Sequence, residues 1–200
     1  MNPNMEIDFK NFNIHDYNLK ELIHEDSLSK IYIAEEIRTG KLFAVQKFKS
    51  PDNATQCLRE ISSIEIQTNL NHPCITKIYG INIFSSDNPE KYEPTILTDY
   101  FPNSTLRSLL ENGQQDPNFS ATKKIIILLG ISHAMKYLHY KGVIHRDLKP
   151  GIVFLDDKYY PHLDGFLLSK SFPHPLNNSM EFEMTTGIGT LHYMAPELLN

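Results

Sequence analysis

Two hundred residues, 40% apolar and 22% charged, suffice to bury one sizeable core or two small ones and exclude a disordered chain. A formal net charge of -5, without a face rich in lysine or arginine, excludes nucleic acid as the expected partner. Cys57 and Cys74 lack metal-ligand spacing and are too few for a disulfide framework, so a reducing compartment fits better.

The opening Met1 to Lys10 shows no basic stretch followed by an apolar run, so no signal peptide is expected. Leu19 to Ile23, Ser29 to Glu36 and Leu42 to Lys49 are short, alternating or β-branched, and Arg38-Thr39-Gly40-Lys41 supplies a turn, which predicts an antiparallel meander. Cys57 to Asn69 changes to helical spacing through Leu58, Ile61, Ile64 and Leu70, and Asn71-His72-Pro73 breaks it, because proline has no amide donor. Ile75 to Phe84 and Thr95 to Tyr100 return to strand character around a loop at Ser85 to Pro89. Thr105 to Glu111 and Ser120 to Tyr140 then predict helices. In the second, Ile127, Leu128, Ile131, Ala134, Met135 and Leu138 form one apolar stripe, and Gly142 is the stop. The longest apolar run, Ile125 to Ile131, is too short to cross a bilayer, so a cytoplasmic protein without membrane contact is expected. Strands first and helices later imply an α+β fold of two lobes with a cleft between them.

His145-Arg146-Asp147-Leu148-Lys149-Pro150, preceded by Tyr137-Leu138-His139, resembles the catalytic loop of protein kinases. Ala44-Val45-Gln46-Lys47, Arg59-Glu60 and Met194-Ala195-Pro196-Glu197 follow in the family's order. The resemblance covers residues 17 to 200 and implies transfer of the γ-phosphoryl group of ATP to a protein hydroxyl. It matches Lys47 to the strand lysine that contacts the α/β-phosphates and Glu60 to the helix glutamate that orients it, with Glu65 as the rival register. Ile64, four residues after Glu60, is apolar as the family's packed column requires, whereas Asn69 follows Glu65. Asp147 takes the place of the catalytic aspartate, and Lys149 that of the lysine offsetting charge on the transferring group.

The same resemblance matches Ala44, Ile31 and Phe154 to the residues sandwiching adenine, and Thr98 to the residue controlling access behind it. Asp99, Tyr100 and Phe101 match the hinge, and His145 with Phe166 the packed column. Ordinary core packing accounts for these residue types equally well. Lys149-Pro150 and Gly189-Thr190 resemble the serine/threonine pattern, and the loop Asn71 to Ile75 the tyrosine-kinase-like group of those enzymes. Between Lys170 and Gly189, Ser179, Thr185 and Thr186 lie in what resembles an activation loop, whose phosphate Arg146 would receive.

Three departures stand against that pattern. The phosphate-covering glycines are replaced by His24, Asp26 and Ser29, and side chains there keep backbone amides from phosphate. Ile152 stands where the family has an asparagine ligand for Mg²⁺, and an alkyl chain cannot ligate a hard cation. Gap-free alignment puts Gly165, Phe166 and Leu167 on the Asp-Phe-Gly motif, leaving Asp164 one residue early and, on an undistorted strand, aimed at the opposite face. Two lost ligands imply activity weaker by about 10² to 10⁴-fold, or roughly 3 to 5 kcal/mol. ATP is the expected nucleotide, bound weakly or not at all, and Mg²⁺ loses two of its usual ligands.

The expected organisation is an N-terminal extension (1–16), a five-stranded small lobe with one helix (17–97), a hinge (98–103) and a partial, mainly helical large lobe (104–200). The family's large lobe continues past Met194 to Glu197 while this chain stops at Asn200, so an exposed apolar surface is expected. Two function classes follow. One is a kinase-fold scaffold or regulator, a pseudokinase, whose partner is a protein such as a true kinase. The other is a divergent serine/threonine kinase that recruits Asp164 for metal.

Overall fold

A computed structural model describes residues 12–25, 29–49, 54–84, 92–112, 119–172 and 188–199. The chain forms two units, one of residues 1–58 with 77–100, the other of 59–76 with 101–200. Asp26, the loop at Ser85 to Pro89, and Ser179, Thr185 and Thr186 lie outside the described residues.

In the first unit β1 (Tyr17–Glu25), β2 (Ser29–Glu36), β3 (Leu42–Phe48), β4 (Ile78–Phe84) and β5 (Tyr92–Asp99) make an antiparallel five-stranded sheet in the order β1-β2-β3-β5-β4. Side chains alternate between faces along each strand, so the register divides them. Ile31 opposes Gln46, Ile33 opposes Ala44, and Ala44 opposes Thr98 on one face. Ala34 opposes Phe43, Val45 opposes Leu97, and Lys47 opposes Lys30 and Thr95 on the other. Ala34, Phe43, Val45 and Leu97 form the core of that second face, and Phe12, Ile14, Tyr17 and Tyr79 pack against it. Gly80 makes room for this covering: a Cβ there would stand 2.7 Å from that of Phe12. Phe12, Tyr17, Phe43 and Tyr79 meet edge to face in succession, with centroids 5.3 to 5.9 Å apart.

Helix α1 (Ala54–Thr68) carries the chain into the second unit, where Glu60, Ser63, Ile64 and Gln67 are its buried residues. The strand expected from Ile75 begins only at Ile78, because Ile75 makes a single parallel bridge to Leu163 in the second unit. After α2 (Leu106–Asn112), α3 (Ala121–Tyr140) starts on Ser120, whose hydroxyl accepts the amide of Lys123. It ends at Gly142, which has φ +70 and leaves no room for a Cβ, since one would lie 2.6 Å from the carbonyl oxygen of Phe172.

The stripe predicted on α3 is partly corrected. Ile127, Ala134 and Leu138 are buried and Ile131 and Met135 flank the core, but Leu128 is 64% exposed, in company with Ile125, Leu129 and Tyr140. Position 128 follows a core residue by one place, a rotation of about 100° on a 3.6-residue turn, and so leaves the buried face. The core of this unit also takes in Leu70, Ile75, Val143, Val153, Leu163 and Phe166. Two short ribbons complete it, β6 (Val143–Ile144) with β9 (Lys170–Ser171) and β7 (Val153–Leu155) with β8 (Pro161–Leu163). Among the described residues no helix is long and apolar enough to cross a membrane.

Candidate functional site

The segment after β6 is built on His145, which is fully buried. Its ring packs on Phe166 at 5.0 Å, its Nδ1 accepts the amide of Asp147 at 3.4 Å, and Nε2 lies 2.8 Å from the carbonyl oxygen of Asp164. One nitrogen accepts and the other therefore donates, which suits the neutral ring. Desolvation accordingly holds its pKa below the ordinary histidine value. Arg146 next takes a left-handed conformation, φ +65, with Nε donating to the carbonyl of Leu168 at 2.5 Å.

Asp147, Lys149 and Thr190 close a triangle. Lys149 Nζ lies 2.7 Å from Asp147 Oδ2 and donates to Thr190 Oγ1 at 2.7 Å, while the Thr190 hydroxyl donates to Asp147 Oδ1 at 2.6 Å. Each carboxylate oxygen of Asp147 thus has its own donor, which fixes the side chain without saturating its lone pairs. Gly189 permits this approach: it has φ +127, and a Cβ would sit 2.6 Å from the Arg146 carbonyl oxygen.

The expected metal positions are otherwise arranged. Gly165 is left-handed at φ +77, and the place of its missing Cβ lies 2.8 Å from Cγ2 of Ile152. The backbone reinforces this contact, since the amide of Asp164 donates to the carbonyl of Ile152 at 3.0 Å. Two facing groups with no donor oxygen in either side chain do not fit Mg²⁺, which is bound through oxygen. Asp164 is half-buried, and its Oδ1 accepts the amide of Gly165 at 2.6 Å. Desolvation raises its pKa, against the pull of that amide, Thr76, His145 and Gln67. Among the described residues no group of three or more His, Cys, Asp or Glu stands ready to hold a metal ion. Phe154 stacks on Phe101 with centroids 5.6 Å apart, and His162 tilts over the same Phe101 ring at 4.5 Å.

On the sheet of the first unit, Ala44, Ile31 and Thr98 are brought to one face, and Lys47 is not among them. Lys47 lies on the opposite face with Phe43 and Val45; Gln46 shares the Ala44 face and donates from Nε2 to Ser29 Oγ at 3.0 Å. Asp99 accepts the hydroxyl of Tyr79 at 2.8 Å, and burial with that bond pushes the Tyr79 pKa up to about 12. Tyr100 is half-buried. On α1, Glu60 is 1% exposed, as is Ile64, whereas Glu65 is partly exposed.

Residues 17–200 match the family description of the protein kinase domain. The chain belongs to the protein kinase family. Similar proteins include a protein kinase and PP2C-like domain-containing protein of Arabidopsis thaliana, 30% identical over 92% of this chain and 28% of its own length. A probable serine/threonine-protein kinase of Streptomyces coelicolor is 28% identical over 90% and 26%, and the Aurora kinase of Saccharomyces cerevisiae 26% identical over 96% and 48%. The chain therefore spans between about a quarter and a half of these relatives. Kinase domains as a family use ATP and Mg²⁺.

Two residues of this kinase domain gain their place only in the folded chain. The contact of Thr190 with Asp147 leaves no local signal, because it joins residues 43 apart in the chain. Gln46 carried a usable signal: strand alternation from Ala44 leads two places on, to Gln46, and not three, to Lys47.

Proposed function

We propose that this chain is a kinase-fold regulator without effective phosphoryl transfer, a pseudokinase that acts by binding a protein partner, such as an active kinase. The contact between Ile152 and Gly165 carries the proposal, because it puts hydrocarbon where the resemblance implies two metal ligands. Gln46 on the face of Ala44, with Lys47 turned away, supports it further, since phosphate loses its fixed cation there. In this proposal Ala44, Ile31 and Thr98 keep a sheet face that suits adenine, while Glu60, Asp147, Lys149, Asp99, Tyr100, Phe101 and Phe154 serve the scaffold more than the chemistry.

A divergent active serine/threonine kinase is the second reading, favoured by the ordered Asp147–Lys149–Thr190 triangle. It requires Asp164 as metal ligand, whereas Asp164 Oδ1 here accepts the amide of Gly165 and its neighbours Ile152 and Gly165 offer no side-chain oxygen to join it. Phosphoryl transfer from Mg-ATP or Mn-ATP to a generic serine/threonine substrate, compared between the natural chain and Asp147→Asn, decides between them. Equal background rates are expected. Transfer that disappears in Asp147→Asn establishes the enzyme instead.

A further inference from the structure

On β2, β3 and β5 the face of the sheet bearing Ala44 carries no lysine, and its charged residue, Glu35 opposite Leu42, is paired with Lys20 of β1. Lys30 and Lys47 are the lysines of β2, β3 and β5, and they are direct cross-strand partners on the face of Val45 and Phe43. Across from them the Ala44 face presents Ile31, Ile33, Ala44, Thr98 and a carboxamide, Gln46, tied to the hydroxyl of Ser29. A lysine on β3 can serve that face only if the strand slips by one residue. The register from Ser29↔Phe48 to Glu35↔Leu42 runs without a bulge and leaves no room for a slip.

We propose that this face takes an uncharged purine nucleoside in preference to a nucleotide, with its phosphate selectivity lost. The proposal rests on the kinase-fold assignment of an adenine-binding face given above. A triphosphate brings several negative charges to a surface from which Lys30 and Lys47 point away and where Lys20 is already paired with Glu35, in a chain whose own formal net charge is -5. It gains no ion pair there to offset removal of those charges from water. A nucleoside needs only apolar area for its ring and hydroxyl or amide partners at its edge, which Ile31, Ile33 and Ala44 on one hand and Thr98 and Gln46 on the other provide.

Calorimetric titration of the full chain with adenosine and with ATP, in EDTA at physiological ionic strength, tests this without any phosphoryl transfer. The natural chain is expected to bind ATP no more tightly than adenosine, and Lys47→Ala to leave both affinities unchanged. Gln46→Lys is expected to shift the preference toward ATP by about tenfold or more, the worth of one charge-assisted contact. ATP bound tenfold tighter than adenosine by the natural chain, or selective loss of ATP binding in Lys47→Ala, overturns the proposal. Absence of binding by either ligand overturns it too, while the regulator reading stands, because that reading fails only on phosphoryl transfer dependent on Asp147.

Discussion

Ile152 and Gly165 occupy one volume: a Cβ on Gly165 would stand 2.8 Å from Cγ2 of Ile152, closer than side-chain carbons approach, and a tight 3.1 Å from its Cβ. Restoring an aspartate at 165 alone therefore meets both a filled space and a left-handed backbone. Gly165→Asp is expected to lose about 2 to 4 kcal/mol, from overpacking together with left-handed strain. Ile152→Ala in the same chain should return part of that loss by clearing the methyl group. A double-mutant cycle by urea unfolding reads the coupling, expected at about 1 kcal/mol or more. Strict additivity would show that the two residues do not compete for space.

The hydroxyl of Thr190 satisfies one oxygen of Asp147 and receives Lys149 in turn. Thr190→Val keeps the shape and deletes both bonds, so it should cost about 1 to 3 kcal/mol, the range for leaving a buried acceptor unpaired. Thr190→Ser should regain most of that. Chemical denaturation of the three proteins measures the difference. Equal loss in the serine variant would trace the effect to the methyl group and not to the hydrogen bonds.

Much of this fold is written in local patterns. Alternation located β2 and β3, and Gly142 marked the end of α3, because those signals depend only on neighbours in the chain. What local pattern cannot carry is which of two adjacent apolar residues the tertiary structure accepts. Leu128 fits the helical stripe on paper, yet Ile127 has the buried place. The site divides the same way. His145 through Pro150 is a contiguous run, whereas the meeting of Ile152 with Gly165 and of Asp147 with Thr190 depends on strand pairing between distant segments. The β7–β8 register, Val153↔Leu163, is what brings Ile152 beside Asp164 and Gly165.

Two leucines of α3, Leu138 and Leu128, predict opposite outcomes. Leu138 is fully buried among the core residues of the second unit, so Leu138→Ala should lose about 2 to 5 kcal/mol as a cavity opens. Leu128→Ala, on the exposed side of the same helix, should change stability by less than about 0.5 kcal/mol in the monomer. Thermal unfolding of both variants checks the pair. A large loss in Leu128→Ala would mean that its face is covered in solution.

The neutral ring of His145 makes stability depend on pH on the acid side. Burial lowers its pKa, so as pH falls the unfolded chain takes up the proton first. The contribution is full above the ordinary histidine value of about 6.5 and is lost as pH falls below it toward the folded value. His72 is lowered for the same reason and adds to the slope, with His133 repelling the charged form. Unfolding free energy should decline between pH 7 and 5 in the natural chain, and less steeply in His145→Gln measured against it. Parallel profiles would show that the ring does not titrate differently on folding.

Asp164 should bend the profile the other way. Its pKa is raised in the folded chain, so the folded state keeps the proton to higher pH than the unfolded one. The resulting stability is fully present below the unfolded value of about 3.9 and is lost as pH rises through the folded pKa. Asp164→Asn keeps an oxygen to accept the amide of Gly165 and removes the ionisation. Relative to the natural chain, the variant should therefore be more stable at pH 7 than at pH 4. Melting temperatures of both proteins at the two pH values give the comparison. The opposite ordering would mean that the folded chain stabilises the Asp164 carboxylate, as a cation ligand must be, and would return weight to the metal-using alternative.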